Sequence, residues 1–124
     1  MRDYRTKHLS KRTAKHYDEV IYAPGSLGSI LWQIESRILD RVVVEFRKTH
    51  DQIDYLDFAC GTGRVLTHLE SSVNTATGID ISGSMLDRAA NKVLSAKLVC
   101  VDITNGGTSN NTILQIDSRY KTMV

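Results

Sequence analysis

The sequence predicts an α/β fold: a parallel sheet with helices packed on its faces. Three observations carry this. Short β-prone runs alternate with helix-like segments from about residue 53 onward. A glycine-bearing corner, DFACGTGRV (57–65), joins the first of those runs to the helix after it. A long amphipathic segment precedes both. Strands separated by helices pair in parallel, because each crossover needs a dozen residues or more and a helix supplies them.

Taken in order, the chain begins with a basic arm at about 1–16. Residues 2–16 carry six Lys or Arg against one acid. Such an arm is most simply a solvated terminus, and it is also the kind of segment that touches nucleic acid or a phosphate-bearing partner. YAPGSLGS (22–29) is punctuated by Pro24, Gly25 and Gly28 and reads as a turn. The next segment places Leu27, Leu31, Ile34, Ile38, Val42 and Phe46 three or four apart, which predicts a long helix with that face buried. Ser26 or Ser29 is placed to cap it. Trp32 and Tyr22 read as core or rim aromatics. DYLDFA, NTATGID and KLVCVDI read as strands 1, 2 and 3. RVLTHLESS and SGSMLDRAANKVLSA read as the intervening helices, the second with Met85, Ala89 and Val93 four apart. Right-handed crossovers put the strands in the order 3-2-1. The tail breaks the pattern. Its TILQI run suits one more strand, and because the loop before it is too short for a crossover, that strand is an antiparallel edge strand next to strand 3 or an exchange with another subunit.

With 124 residues and 41% hydrophobic content, the chain suffices for one modest domain spanning 1–124. Its two cysteines, Cys60 and Cys100, fall in different elements and fit a reducing compartment, here the cytoplasm. No signal peptide is apparent. No apolar run approaches the roughly 18 residues of a membrane span, so no membrane role is expected.

The corner carries the chemistry. Gly61 and Gly63 permit a tight turn with positive φ and leave room for a ligand, and a new helix begins at Arg64. Asp57, just before the turn, would repel a pyrophosphate and attract an ammonium group. A dinucleotide fingerprint would require glycine at position 66, where the chain has Leu66, and no Gly-Lys-Ser/Thr follows for a P-loop. Asp80 ends strand 2, 23 positions after Asp57. A carboxylate there can accept both hydroxyls of a ribose, and Ile81 can pack on a flat base. Ser82 or Ser84 suits a helix cap. Asp102 closes strand 3, placed to accept from an adenine amino group while Ile103 covers the ring. Three acids in register at strand tips, beside one glycine turn, predict a shared ligand rim.

LDFACGTGRV, TGIDISGSMLDRA and KLVCVDIT together resemble the successive motifs of class I S-adenosylmethionine-dependent methyltransferases. The resemblance covers about residues 53–104 and only the N-terminal half of that fold. It implies a partial Rossmann-like three-layer sandwich and S-adenosylmethionine as cofactor. The cofactor-binding set it implies is Tyr22, Asp57, Ala59, Cys60, Gly61, Gly63, Asp80, Ile81, Asp102 and Ile103. Asp57 would stand near the amino-acid end of the cofactor, Asp80 at the ribose and Asp102 at the adenine. Ala59 replaces a glycine that often opens the motif. Tyr17 and Tyr22 resemble the segment that closes over the cofactor in many members. Strand 1, central in the full fold, is left at an edge, which implies a homodimer or a partner chain covering it.

The activity implied is direct, SN2-like methyl transfer to an unknown acceptor, with a small molecule as one possibility. No catalytic base is assigned: His8, His16, His50 and His68 are scattered, and Cys60 has no paired base. No cluster has zinc-ligand spacing, so no metal is expected. Two alternatives stand beside the enzyme: a non-catalytic cofactor-binding or interaction module, and another Rossmann-like nucleotide binder.

Overall fold

The computed structural model describes residues 11–102. Helix α1 spans Lys11–His16 and runs directly into a π-helical turn, Tyr17–Ile21. Helix α2 is Leu27–Arg47. Strand β1, Asp54–Phe58, is followed by α3, Arg64–Leu69, which tightens into a 3-10 turn over Glu70–Ser72. Then come β2, Thr75–Asp80, α4, Gly83–Ala90, and β3, Lys97–Cys100. The three strands form one parallel sheet in the order β1-β2-β3, the 3-2-1 order expected. This is an α/β, partial Rossmann-like fold. TILQI and Ile103 lie outside the described residues.

The elements form where their residues dictate. Ser26 caps α2, its Oγ accepting from the Ser29 N–H. Ser82 caps α4 in the same way, accepting from the Met85 N–H. Either cap satisfies a backbone donor that the first helical turn would otherwise leave without a partner. The core lies between the sheet and helices α3 and α4. It joins Leu66, Leu86, Ala89, Ala76 and Leu98, with Tyr55 packed against it. Gly78 sets the approach of β2 to α3: a Cβ there would stand 2.6 Å from Leu66 Cδ2 and 2.8 Å from Cys60 Sγ. Only a glycine lets the layers close to that distance. The buried Glu70 fastens the loop before β3, Oε1 accepting from the Leu94 and Ser95 N–H groups at 2.7 Å each.

Four expectations are corrected. The apolar face of α2 is not buried: Leu27, Leu31, Ile34, Ile38, Val42 and Phe46 are all exposed, Ile38 by 56%. Beyond its first turn, the half-buried positions are instead Trp32, Ser36, Leu39 and Val43. This second face meets α3, where His68 Nε2 lies 2.7 Å from Asp40 Oδ1 and its ring meets Trp32 edge-on. Periodicity marks an apolar stripe but cannot say which neighbour covers it. Second, α4 ends at Ala90 rather than near Ala96, and Val93 is buried from a turn in which the Lys92 and Val93 N–H groups both donate to the Ala89 carbonyl. Third, β3 stops at Cys100, two residues short of Asp102. Fourth, residues 11–16 of the basic arm are not a loose terminus: they form α1, which packs on α4 and buries Ala14.

Candidate functional site

The glycine corner follows β1 as a chain of backbone constraints. Ala59, Gly61 and Gly63 have φ of 56°, 58° and 84°. For Ala59 that left-handed conformation costs about 1 kcal/mol, since its Cβ crowds the following carbonyl. The loop is held in place by three hydrogen bonds: Cys60 N–H to the Ile79 carbonyl at 3.0 Å, Gly63 N–H to the Cys60 carbonyl at 3.0 Å, and Gly61 N–H to Asp80 Oδ2 at 2.8 Å. The two glycines do different work. A Cβ on Gly61 would meet nothing within 4 Å, so that position stays open to the cavity. A Cβ on Gly63 would stand 2.9 Å from the Ala89 Cβ. Gly63 therefore lets the corner close against α4, and it does not line the cavity.

Asp80 is the keystone. While Oδ2 accepts from Gly61, Oδ1 accepts from the Ser82 N–H at 2.8 Å. One carboxylate so ties the glycine corner to the turn that opens α4. Each oxygen retains acceptor capacity for a further donor.

The three strand-tip acids are stepped, not level. Asp57 is in register with Gly78, and Asp80 with Cys100. Asp80 thus stands two residues beyond Asp57, and Asp102 two residues beyond the level of Cys100. The step from Asp57 to Asp80 is about 6.6 Å at the rise of a parallel strand, and Asp102 lies past the end of β3. The Val101 N–H donates to the Asp80 carbonyl at 3.0 Å and steers the chain toward Asp102. A staircase suits an elongated ligand lying across the strand ends.

A cavity of about 310 Å³ opens beside the corner. That is the low end of the range for small-molecule sites. Of the residues expected to bind a cofactor, Tyr22, Asp57, Ala59, Cys60, Gly61, Asp80 and Ile81 line it. Asp102 is not among the lining residues. Tyr17, Trp32, Glu35, Thr62, Arg64, Val65 and Met85 complete the wall. Among the described residues no group of His, Cys, Asp or Glu is placed to hold a metal ion.

The N-terminal segment roofs this space. Asp18 bonds the Arg88 Nε at 3.0 Å and the Lys92 Nζ, and Glu19 takes the Arg88 Nη2 at 3.1 Å. Lys92 in turn donates to the Thr62 carbonyl in the corner, at 3.1 Å. On the other side Gly28 sits so close to Ile21 that a Cβ would lie 2.2 Å from its carbonyl oxygen. Ser26 Oγ donates to that same oxygen at 2.9 Å. Anchored at both ends, the segment holds Tyr17 and Tyr22 at the cavity, their rings edge-to-face at 5.1 Å.

Burial, reinforced by the nearby Asp80 charge, pushes the Asp57 carboxyl above its ordinary value, while the Tyr55 hydroxyl pulls the other way. Tyr55 itself is pushed up to about 12, by burial and by Asp57. Burial raises the Cys60 thiol further still, with Asp80 and Asp57 adding to it, so Cys60 is a packing residue in the wall and not a thiolate. Burial works against the Asp18 charge, but hydrogen bonds and charges from Lys92 and Arg88 outweigh it, and its pKa falls.

Sequence reasoning missed Arg64, Glu35 and the Asp18 latch, and read Trp32 as a core or rim residue. Trp32 and Glu35 are three apart on α2, so they share a face. No spacing ties Asp18 to Arg88, 70 positions away.

A parallel sheet with its ligand cavity at the carboxyl ends of the strands, beside a glycine corner, defines a nucleotide-type binding domain. Residues 56–118 match the family described as methyltransferase domain. The chain belongs to that family, and its motifs are those of the N-terminal half of a class I S-adenosylmethionine-dependent methyltransferase. A solved S-adenosylmethionine-dependent methyltransferase from Clostridium acetobutylicum ATCC 824 is 30% identical, with a TM-score of 0.51 over 76% of this chain and 37% of its own. The DhpI–SAH complex is similar in fold at 21% identity, with a TM-score of 0.58 over 81% of this chain and 46% of its own. The chain spans less than half the length of both. No curated protein matches the sequence significantly. Among the described residues no helix is long and apolar enough to cross a membrane.

Proposed function

We propose that this chain binds S-adenosylmethionine in the cavity beside the glycine corner and serves direct methyl transfer to an acceptor. The observation that carries this reading is the Asp80 carboxylate, which bridges Gly61 and Ser82 at the cavity rim and keeps acceptor capacity for a ribose diol. The residues fit the cofactor in three further ways. Gly61 presents bare backbone to the cavity. The stepped acids match an elongated ligand with an amino-acid end, a ribose and a base. Asp57 supplies negative charge where an ammonium group would lie.

When bound, the sulfonium cofactor supplies the electrophilic methyl group. The chain's own residues bind and orient. Asp57 attracts the ammonium, Asp80 accepts from the ribose hydroxyls, and Ile81 packs on the base. Tyr17 and Tyr22, held by the latched segment, limit water at the reacting end. Positioning of donor and acceptor on one line is the main catalytic contribution this arrangement offers.

Calorimetry with S-adenosylmethionine, S-adenosylhomocysteine and NAD tests the reading. Micromolar binding of the first two and none of NAD is expected; equal or tighter NAD binding rejects it. A radiolabelled methyl screen over small molecules, proteins and RNA then separates an enzyme from a non-catalytic binding module. We also propose that a second copy of this chain, or a partner chain, covers the β1 edge. Leu56 and Phe58 on that strand are 46% and 57% exposed, and the apolar stripe of α2 is bare as well. A reducing, cytoplasmic setting suits the two thiols, which form no disulfide.

A further inference from the structure

We propose that Arg64 is the carboxylate anchor of the cavity, taking the α-carboxylate at the amino-acid end of S-adenosylmethionine. The inference rests on the cofactor reading above and adds a residue and a charge to it.

Four observations converge on Arg64. Among the described residues it is the one Lys, Arg or His that lines the cavity, where Glu35, Asp57 and Asp80 supply the opposite sign. Its guanidinium carbon lies 2.9 Å from the centroid of the Tyr22 ring and 5.7 Å from that of Trp32. A guanidinium held over an aromatic ring gains cation–π attraction, and its planar fork of N–H donors matches a carboxylate. Yet those donors are not spent: among the described residues no side chain or carbonyl hydrogen-bonds to Arg64, and its Nε is buried without a partner. The neighbouring cations differ. Arg88 and Lys92 are both committed to Asp18 and its surroundings.

Sequence position completes the argument. The corner that begins at Asp57 ends at Arg64, so one loop carries an acid at its start and a base at its end. An α-amino acid is a zwitterion. Asp57 answers its ammonium, and among the described residues of the wall Arg64 is the cation that can answer its carboxylate. Burial disfavours the Arg64 charge, and a bound carboxylate would relieve that cost. Asp18 and Glu35 are the carboxylates whose charges favour the charged form of Arg64, and of these Glu35 lines the cavity.

The test compares three ligands by calorimetry: S-adenosylmethionine, its decarboxylated analogue, which keeps the ammonium, and 5′-methylthioadenosine, which lacks both groups. Wild-type protein, Arg64→Gln, Arg64→Lys and Glu35→Gln are measured, with urea unfolding to check that each is folded. Arg64→Gln should weaken S-adenosylmethionine by about 10- to 100-fold, the worth of a charged hydrogen-bonded pair. It should leave the decarboxylated analogue and methylthioadenosine within about twofold. Arg64→Lys, which keeps the charge and loses the fork, should fall between. Glu35→Gln should leave S-adenosylmethionine binding unchanged or tighter. Equal weakening of all three ligands by Arg64→Gln overturns the proposal, because Arg64 would then act only by holding Tyr22. Unchanged S-adenosylmethionine binding overturns it as well. Wild-type protein that binds neither S-adenosylmethionine nor S-adenosylhomocysteine refutes the cofactor reading itself, and the inference with it.

Discussion

Removing the Asp80 carboxylate should damage the fold and the ligand site together, and the two losses can be separated. The carboxylate accepts from two backbone donors, Gly61 and Ser82, each at 2.8 Å. A hydrogen bond to a charged group is worth about 1.5–3 kcal/mol net, so the pair is worth at most about 3–6 kcal/mol. Asp80 is only half-buried, and water replaces part of what is lost. Asp80→Ala should therefore destabilise by about 2–3 kcal/mol. Asp80→Asn keeps one acceptor oxygen but turns an NH2 group toward the second backbone donor, and should cost about 1–2 kcal/mol. Urea unfolding measures both. If Asp80→Ala unfolds within about 0.5 kcal/mol of wild type, the carboxylate does not hold the corner and the keystone argument fails. Binding of S-adenosylmethionine is then measured on Asp80→Asn at low urea, where it is fully folded. A loss of tenfold or more is expected from the missing charge at the ribose. Undiminished affinity would refute the ribose role even with the structural role intact.

Further predictions address the corner, the roof and the buried acids. Ala59→Gly should stabilise by up to about 1 kcal/mol, because glycine carries no penalty at φ 56°, offset in part by its greater freedom when unfolded; circular dichroism melting decides the sign. Gly63→Ala should destabilise by about 1–3 kcal/mol through its clash with Ala89 and the strained φ, seen in the same melt. Asp18→Asn should cost about 1–2 kcal/mol, discounted because Arg88 and Lys92 remain partly in water, and should speed S-adenosylmethionine dissociation in stopped-flow. Asp57 has its folded pKa raised above the ordinary 3.8. Its stabilising contribution is therefore full below that value and is lost as pH rises through the folded pKa. Asp57→Asn should remove this slope from urea unfolding followed as pH rises through and above the ordinary 3.8. Cofactor affinity should run the opposite way in wild type, rising with pH as the carboxylate ionises.

What was legible in the sequence was local. The alternation of short β-prone runs with helix-like segments determined the parallel sheet and its order, because a short connection bearing a helix leaves few ways to return the chain. The corner was legible because turns with positive φ select glycine and small residues. Asp57 and Asp80 were legible as cavity residues because a strand tip in a parallel sheet faces the ligand crevice, whereas Asp102 lies past the end of its strand and does not line the cavity. Ser26 and Ser82 were legible as caps from their place before a helical run.

Tertiary structure decided the rest, for reasons of distance along the chain. Only packing shows that Gly63 serves Ala89 while Gly61 serves the cavity, since the two have the same backbone requirement. Only register shows that Asp80 stands two residues beyond Asp57. The Asp18–Arg88 latch joins positions 70 apart, and no local pattern encodes such a pair. The α2 stripe makes the same point in reverse. Its period is plain in the sequence, but burial depends on a neighbour, and among the described residues none covers it. A side chain's chemistry is written locally; whether it is covered, paired or left open to a ligand is settled only when distant segments meet.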